Sequence, residues 1–170
     1  MTPIIEQSFE QIGLNLETRE QLDAYPVVST VSKNLPISTY PGWGKDYPDA
    51  YTFVGFLFQG GDKILCEGNF NYSLVGITPE RFEECGGKGN AENVPAVDAE
   101  IEECLALINE ERLDCWIELD KTLMEDVVPW VPYLWEQHTG VFGPTVTKYD
   151  FDQNAGETSY AHVAVDASQQ

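Results

Sequence analysis

Residues 98–128 carry the most regular apolar pattern of the chain, and this pattern restricts the fold more than any other feature. Within 98–108 and 110–128, large apolar residues recur every three or four positions, as they do along one face of a helix. These positions are Ile101, Leu105, Ile108, Leu113, Trp116, Leu119, Leu123 and Val127. Pro129 ends the second helix, because the residue before a proline is pushed out of the helical region. The pattern predicts two helices, with Asp98 as the cap of the first.

The chain has four cysteines, Cys66, Cys85, Cys104 and Cys115. Cys104 and Cys115 lie near the facing ends of the two predicted helices, so a local disulfide between them fits, and Cys66 would then pair with Cys85. Four cysteines allow three pairings, and four reduced cysteines in the core are the alternative. An even count favours an oxidising compartment. No CxxC occurs, and with two histidines the chain shows no zinc-ligand spacing.

The charge balance excludes several kinds of partner. The 170 residues include 29 acidic and 9 basic side chains, for a formal net charge of −20. Phosphate binding needs a basic patch, so nucleic acid is excluded as a partner, and an anionic membrane surface would repel the chain. No apolar run approaches the roughly 18 residues that a membrane span needs. A cationic or zwitterionic ligand fits this charge.

Other segments predict an α/β domain of one core. A helix is expected over residues 3–12, followed by a strand over 14–19 with alternating apolar residues, and a second strand within 27–31 or 36–43. A helix over 49–58 would bury Phe53, Phe56 and Leu57. Further strands are expected over 130–137, 145–151 and 159–165, and a short helix near residue 80 should begin with Thr78 as cap and Pro79 in its first turn.

The stretch GWGKDYPDAYTF, residues 42–53, carries the candidate chemistry. Asp49 is expected to cap the following helix by accepting its first amide hydrogens. Asp46 follows a turn at the expected end of a strand, where α/β folds gather ligands. A carboxylate sheltered there by Trp43 and Tyr47 would pair with an ammonium group, because charge-assisted bonds strengthen away from water. A solvated loop aspartate and a catalytic carboxylate pair are the alternatives.

Catalysis and cofactors have little support in the sequence. Neither histidine lies in a motif, no GxSxG nucleophile turn occurs, and there is no P-loop, GxGxxG or alternating Asp/Asn calcium loop. We therefore expect a protein that is not an enzyme and that holds no cofactor and no metal.

The order of several motifs resembles the C-terminal part of the extracellular solute-binding proteins of family 5, the peptide-binding components of ABC importers. The resemblance covers nearly all of the chain. Two matches are specific. GWGKDYPD is similar to the family's Gly-Trp-x-x-Asp-Tyr-x-Asp-Pro, with Ala50 in place of the proline, and LDKTLMEDVVPWVPYLW resembles its late helix with Leu-Met followed by x-Pro-x-x-Pro. The other matching stretches are IIEQSFEQIGLNLETREQLDAY and GNFNYSLVGI.

The resemblance implies a fold of the periplasmic-binding-protein-like type II class. Residues 1–139 would form the second, C-terminal lobe, and residues 140–170 would be a tail that packs on a first lobe absent from this chain. Asp46 would bind the α-ammonium group of a peptide, with Trp43 beside it. Tyr47, Asn71 and Tyr72 would border the cleft between the lobes.

The implied function is that of the substrate-binding component of an ABC importer, which would meet permease subunits outside the cytoplasm, in an extracellular or periplasmic location. Peptides or similar ammonium-bearing solutes would be the ligands. One alternative is an oligosaccharide ligand, for which Trp43, Tyr47 and Tyr72 would matter more than Asp46. The other is a truncated remnant that binds nothing.

Overall fold

The structure, a computed structural model, describes residues 2–39, 42–92, 94–133 and 139–169. Its six α-helices in these ranges are α1 Thr2–Glu10, α2 Tyr25–Val28, α3 Tyr51–Phe58, α4 Pro79–Glu84, α5 Asp98–Ala106 and α6 Asn109–Thr122. A π-helical turn, Leu123–Val127, continues α6, and short 3-10 turns lie at Val31–Lys33, Gly61–Lys63, Tyr160–His162 and Ala167–Gln169. The strands are β1 Val146–Lys148, β2 Phe151–Asp152, β3 Glu157–Thr158 and β4 Ala164–Val165.

The main hydrophobic core lies between α3, α5 and α6. Its buried residues are Val54, Leu57, Phe58, Val75, Val97, Ile101, Cys104, Trp116, Leu119 and Leu123. The helix pair that the apolar pattern predicts is therefore confirmed, and its central positions point inward. Ile108 and Leu113 are wrong as core residues, being 70% and 58% exposed. Ile108 lies in the connection between the helices rather than on a helix face.

A second core forms under the Gly- and Asn-rich loops. Val31, Ile64, Ile77, Cys85 and Ala91 make it up. The helix α4 covers this core and begins as its sequence predicts, with the Thr78 hydroxyl accepting the amide hydrogen of Arg81 at 3.2 Å and Pro79 in the first turn. The Arg81 guanidinium reaches back to donate to the carbonyl of Ile64 at 2.9 and 3.1 Å.

Two disulfides fasten these cores. Cys104 bonds to Cys115 and so joins α5 to α6, while Cys66 bonds to Cys85 and joins the loop after α3 to the end of α4. These are the pairs that the positions of the cysteines favour. The alternative of four reduced cysteines is wrong, since no described cysteine is free.

The two cores meet where three backbone segments cross. The amide of Gly61 donates to the carbonyl of Gly76, and the amide of Gly76 donates to that of Pro95. A Cβ atom on Gly60 would lie 2.7 Å from the Cα of Gly76, so the backbones are in direct contact. Asp98 is not the cap of α5 but its first residue, and its carboxylate accepts the amide hydrogen of Gly60 at 3.0 and 3.2 Å.

The expected strands before residue 44 are wrong. Residues 14–20 form neither helix nor strand. Residues 27–31 run from the end of α2 to the start of the 3-10 turn Val31–Lys33. A strand needs a partner, and the described part of the chain offers none there. Within 36–43 the described residues are irregular, as are 130–133, whereas 40–41 and 134–138 lie outside the described residues.

The tail, residues 139–169, is built differently from the rest. β1 pairs with β4 and β2 with β3, both antiparallel, close to the strands expected there. No side chain described in the tail is buried. The Lys45 ammonium donates to the carbonyl of Gln153 and so ties the tail to the segment before α3. The division at residue 139 and the packing of the tail on another lobe stay predictions.

None of the described helices is long and apolar enough to cross a membrane.

Candidate binding site

An open groove lies between residues 45–50 and the first two turns of α6; we call it the main groove. Its volume is about 590 Å³, and its walls include Lys45, Tyr47, Asp49, Phe53, Arg112 and Trp116. Aromatic surface with a few charged groups is typical of small-molecule sites. The groove contains two of the residues that the sequence singles out, Tyr47 and Asp49.

The Asp49 carboxylate forms an ion pair that the sequence does not reveal. The Arg112 guanidinium donates to both of its oxygens, from Nε at 2.8 Å and from Nη2 at 3.0 Å, and from Nη1 to the carbonyl of Leu105 at 3.1 Å. Arg112 also lies over the ring of Trp116, 5.5 Å from its centroid. The pair clamps the start of α3 to the α5–α6 hairpin.

Asp49 is not the cap residue of α3, but it performs part of the predicted role. α3 begins at Tyr51, and Ala50 holds the cap position without a side-chain hydrogen bond. One oxygen of Asp49 still accepts the amide hydrogen of Tyr51 at 2.9 Å. The hydrogen bonds from Arg112 lower the pKa of Asp49, against the opposing effect of burial. Asp49 is thus charged at neutral pH and already neutralised by its partner.

The indole N–H of Trp116 is buried beside this ion pair. It contributes to lowering the pKa of Asp49, yet its geometry falls outside that of a hydrogen bond, and its nitrogen has no partner among the described residues. Buried donors of this kind are uncommon, because an unmade hydrogen bond in the interior costs about 1–3 kcal/mol. The nearby charge of Asp49 offsets part of that cost.

Asp46 lies in the chain between two residues that line the main groove, Lys45 and Tyr47, and the shelter predicted for it is wrong. The residue is exposed, and it lines neither the main groove nor the smaller cavity on the other side of α3. The Thr52 hydroxyl donates to its Oδ2 at 3.2 Å and accepts its amide hydrogen at 2.9 Å. No described residue donates to the other carboxylate oxygen. One oxygen is therefore fixed and the other is open to solvent.

Trp43 points away from Asp46, which explains the missing shelter. Its indole N–H donates to the carbonyl of Thr52 at 2.7 Å, and its ring packs against Phe56 and Phe70 at centroid distances of 5.4 and 5.1 Å. Thr52 is fully buried in the first turn of α3. Residues 43–46 are thus held to the start of α3 by three hydrogen bonds to a single threonine, one from Trp43 and two with Asp46.

The surroundings of Tyr47 raise the pKa of its hydroxyl. Partial burial raises the pKa of its hydroxyl most, and the charges of Asp49 and Asp46 raise that pKa further. The phenol therefore stays protonated at neutral pH. The guanidinium of Arg112 has the opposite effect and lowers that pKa, so charges of both signs act on the Tyr47 hydroxyl.

Asn71 and Tyr72, predicted to border a cleft, have different surroundings. Asn71 is 2% exposed, and its side-chain amide donates to the carbonyls of Gln59 and Val75 and accepts from the amide of Val75. It lines a second cavity of about 260 Å³, but its polar atoms are committed to the fold. Tyr72 is half-buried and lines neither cavity.

Hydrolytic chemistry finds no suitable geometry near the tail histidine. Ser159 Oγ lies 2.9 Å and Asp150 Oδ2 3.7 Å from the same ring nitrogen, Nδ1 of His162. A catalytic triad uses opposite nitrogens of the ring, so this arrangement cannot relay a proton from serine to aspartate. Among the described residues, no group of three His, Cys, Asp or Glu side chains could hold a metal ion.

Comparison with known proteins adds no relative. No protein-family model, no curated protein and no solved structure matches the chain. The resemblance to the family 5 solute-binding proteins and the fold it implies therefore stay predictions.

Proposed function

We propose that the protein is the substrate-binding component of an ABC importer, and that it binds peptides or similar ammonium-bearing solutes without catalysing a reaction. The carboxylate of Asp46 carries this proposal. It is exposed beside the main groove, Thr52 holds one of its oxygens, and no described residue donates to the other. A ligand ammonium group fits that oxygen.

The charges along the main groove fit a zwitterionic ligand. Asp46 and Asp49 both raise the pKa of the Tyr47 hydroxyl, but Asp49 is neutralised by Arg112, so Asp46 provides the uncompensated negative charge. Lys45 lies on the wall of the groove, where its ammonium donates to the carbonyl of Gln153, and its charge lowers the pKa of Asp152. A peptide carries an ammonium and a carboxylate, which these two side chains complement.

The exposure of Asp46 sets the strength of this contact. Exposed ion pairs contribute about 0.2–1 kcal/mol, which corresponds to at most about a fivefold change in affinity. In the family that the chain resembles, a first lobe closes over the ligand and removes the pair from water, which strengthens it. Because Asp46 is exposed, we expect weak binding that depends on the ammonium group.

The experiment compares a free with a blocked amine. Trialanine and N-acetyl-trialanine are titrated into the ¹⁵N-labelled chain, and amide chemical shifts of residues 45–53 and 109–116 are followed. We expect trialanine to shift these signals and the acetylated peptide to do so two- to fivefold more weakly, as the ion-pair estimate implies. Asp46→Asn should weaken the binding of trialanine and leave that of the acetylated peptide unchanged. The control variant is Asp62→Asn, at an exposed acidic residue in another turn, and it should change the binding of neither peptide.

Equal binding of both peptides, or an Asp46→Asn variant that binds trialanine like the parent chain, would refute the ammonium anchor. Binding of neither peptide would refute the proposed ligand class.

The proposed location is extracellular or periplasmic. The two disulfides support it, because structural disulfides persist mainly in oxidising compartments.

A further inference from the structure

The second cavity, which we call the aromatic groove, lies on the opposite face of α3 from the main groove. Ala50 and Phe53 face the main groove, whereas Tyr51, Gly55 and Gln59 line the aromatic groove. The last three residues are four positions apart and so follow one another along a single helix face. The helix α3 is thus a wall shared by two separate cavities.

A cluster of rings extends the aromatic groove along the surface. Phe56 and Phe70 line it and are 45% and 37% exposed, with their rings edge to face at 6.3 Å. Trp43 packs against both, and Tyr25 lies 6.2 Å from Phe70. Monomeric proteins rarely leave such apolar surface open without a use for it.

Apart from Lys63, the polar side chains that line the aromatic groove are neutral and held by hydrogen bonds. The Tyr51 hydroxyl donates to Gln59 Oε1 at 3.2 Å, which leaves the amide hydrogens of Gln59 without an acceptor among the described residues. Gly55 leaves room for this hydrogen bond between Tyr51 and Gln59, because a Cβ at residue 55 would collide with the Tyr51 ring that lies along the helix. The groove therefore offers fixed donors beside flat rings.

The described residues that line the aromatic groove include no carboxylate. The chain carries 29 acidic side chains against 9 basic ones, yet none of the described residues that line the aromatic groove is acidic, and Lys63 is the one charged residue among them. A cationic ligand would find no carboxylate among the described residues of this lining, in contrast to the main groove. The lining suits a neutral ligand with apolar faces and many hydroxyl groups.

We propose that the aromatic groove is a second binding site, for a neutral pyranose oligosaccharide. The axial C–H groups of a sugar ring carry partial positive charge and pack on the negative faces of aromatic rings, here Phe56 and Phe70. The sugar hydroxyls accept from the amide of Gln59 and the ammonium of Lys63, and donate to the Tyr51 oxygen. This site is independent of the proposed ammonium ligand, because it shares no residue with the main groove.

The test titrates cellohexaose, maltohexaose and chitohexaose into the ¹⁵N-labelled chain. At least one of them should shift the amides of residues 51–59 and 63–71 and the indole signal of Trp43. Phe70→Leu keeps apolar volume but removes the ring face, and should weaken that response about two- to twelvefold, since an aromatic face contributes about 0.5–1.5 kcal/mol beyond its area.

Phe142→Leu is the matched control, because Phe142 is 48% exposed in the tail and lies outside the aromatic groove. It should leave the response unchanged. A circular dichroism spectrum and the amide spectrum of each variant show whether it is folded; if Phe70→Leu is not, Gln59→Ala replaces it, with the same expected direction.

Three results would overturn the proposal. The first is no response at these residues to any of the three sugars up to their solubility. The second is a response to decaproline instead, which would make the groove a peptide site. The third is a sugar response abolished by Asp46→Asn, which would place the sugar in the main groove. Loss of peptide binding with an intact sugar response would refute the proposed function alone.

Discussion

The helical region, residues 29–128, and the tail, residues 139–169, reach their structures by different means. The helical region contains both buried cores and both disulfides. The tail has no buried side chain among those described, and its strands are two or three residues long. Both carry many exposed polar groups, so the difference lies in burial and covalent links rather than in polarity.

This difference indicates that the helical region contributes most of the free energy of unfolding. Burial of apolar side chains contributes roughly 25 cal/mol per Å² removed from water, and only the helical region removes whole side chains. A two-stranded hairpin alone is marginally stable at best in water. We therefore expect the tail to open without cost to the helical region, and the following variants test that expectation.

The largest effect is expected from Leu123→Ala in the main core. Leu123 is 1% exposed, and a buried leucine truncated to alanine costs about 2–5 kcal/mol through lost burial and the cavity left behind. Urea unfolding followed by tryptophan fluorescence measures the loss. Leu22→Ala, the same change at a fully exposed position, and Val165→Ala in the tail should each stay within about 0.5 kcal/mol.

If Val165→Ala proved as costly as Leu123→Ala, the tail would belong to the same cooperative unit as the core.

Removal of the Cys66–Cys85 disulfide should come next. Replacing both cysteines by alanine frees a loop whose ends are 19 residues apart, and the chain-entropy account predicts a loss of about 3 kcal/mol. Amide hydrogen exchange in the helical region should speed up accordingly, while exchange in residues 146–165 should not change. A matching acceleration in the tail would show that the two regions unfold together.

A smaller and pH-dependent effect is expected from Asp49→Asn. Its ion pair with Arg112 is partly buried, with each side chain 24% exposed, and we expect a loss of about 1–2 kcal/mol at neutral pH. Because the pKa of Asp49 is lower in the folded than in the unfolded state, the stabilisation is present above about pH 4 and disappears as the pH falls through the folded value.

The difference in urea midpoint between the parent chain and Asp49→Asn should therefore shrink on acidification below pH 4. Asp62→Asn serves as the control, because Asp62 forms no ion pair with any described residue. A gap that stayed constant from pH 7 to pH 2 would contradict the assignment of this stabilisation to the Asp49 carboxylate.

Local signals in the sequence predicted much of the fold. The helices over 98–128 follow from apolar spacing, and the start of α4 follows from Thr78 and Pro79, because each depends on neighbours within one or two turns. The strand expected over 14–19 failed for the opposite reason. An alternating pattern becomes a strand only when another segment pairs with it, and that depends on the whole fold.

The site was harder to predict, because its contacts are distant in sequence. Arg112 lies 63 residues from Asp49, and nothing local in the sequence marks it as a partner. The shelter predicted for Asp46 depended on the direction of the Trp43 ring, which Thr52 and the rings of Phe56 and Phe70 decide. Asp46 as a ligand contact is a prediction that the titrations above test.

The crossing of Gly60 and Gly76 limits how this sequence can evolve. Any side chain at residue 60 would meet the backbone of residue 76, and backbone atoms cannot rotate aside as a side chain does. By contrast, a Cβ on Gly42 or Gly44, the two glycines of the conspicuous Gly-Trp-Gly turn, would meet no atom within 4 Å. Descendants of this sequence that keep its fold can replace Gly42 or Gly44 by other residues. At residues 60 and 76, by contrast, natural selection would accept only glycine.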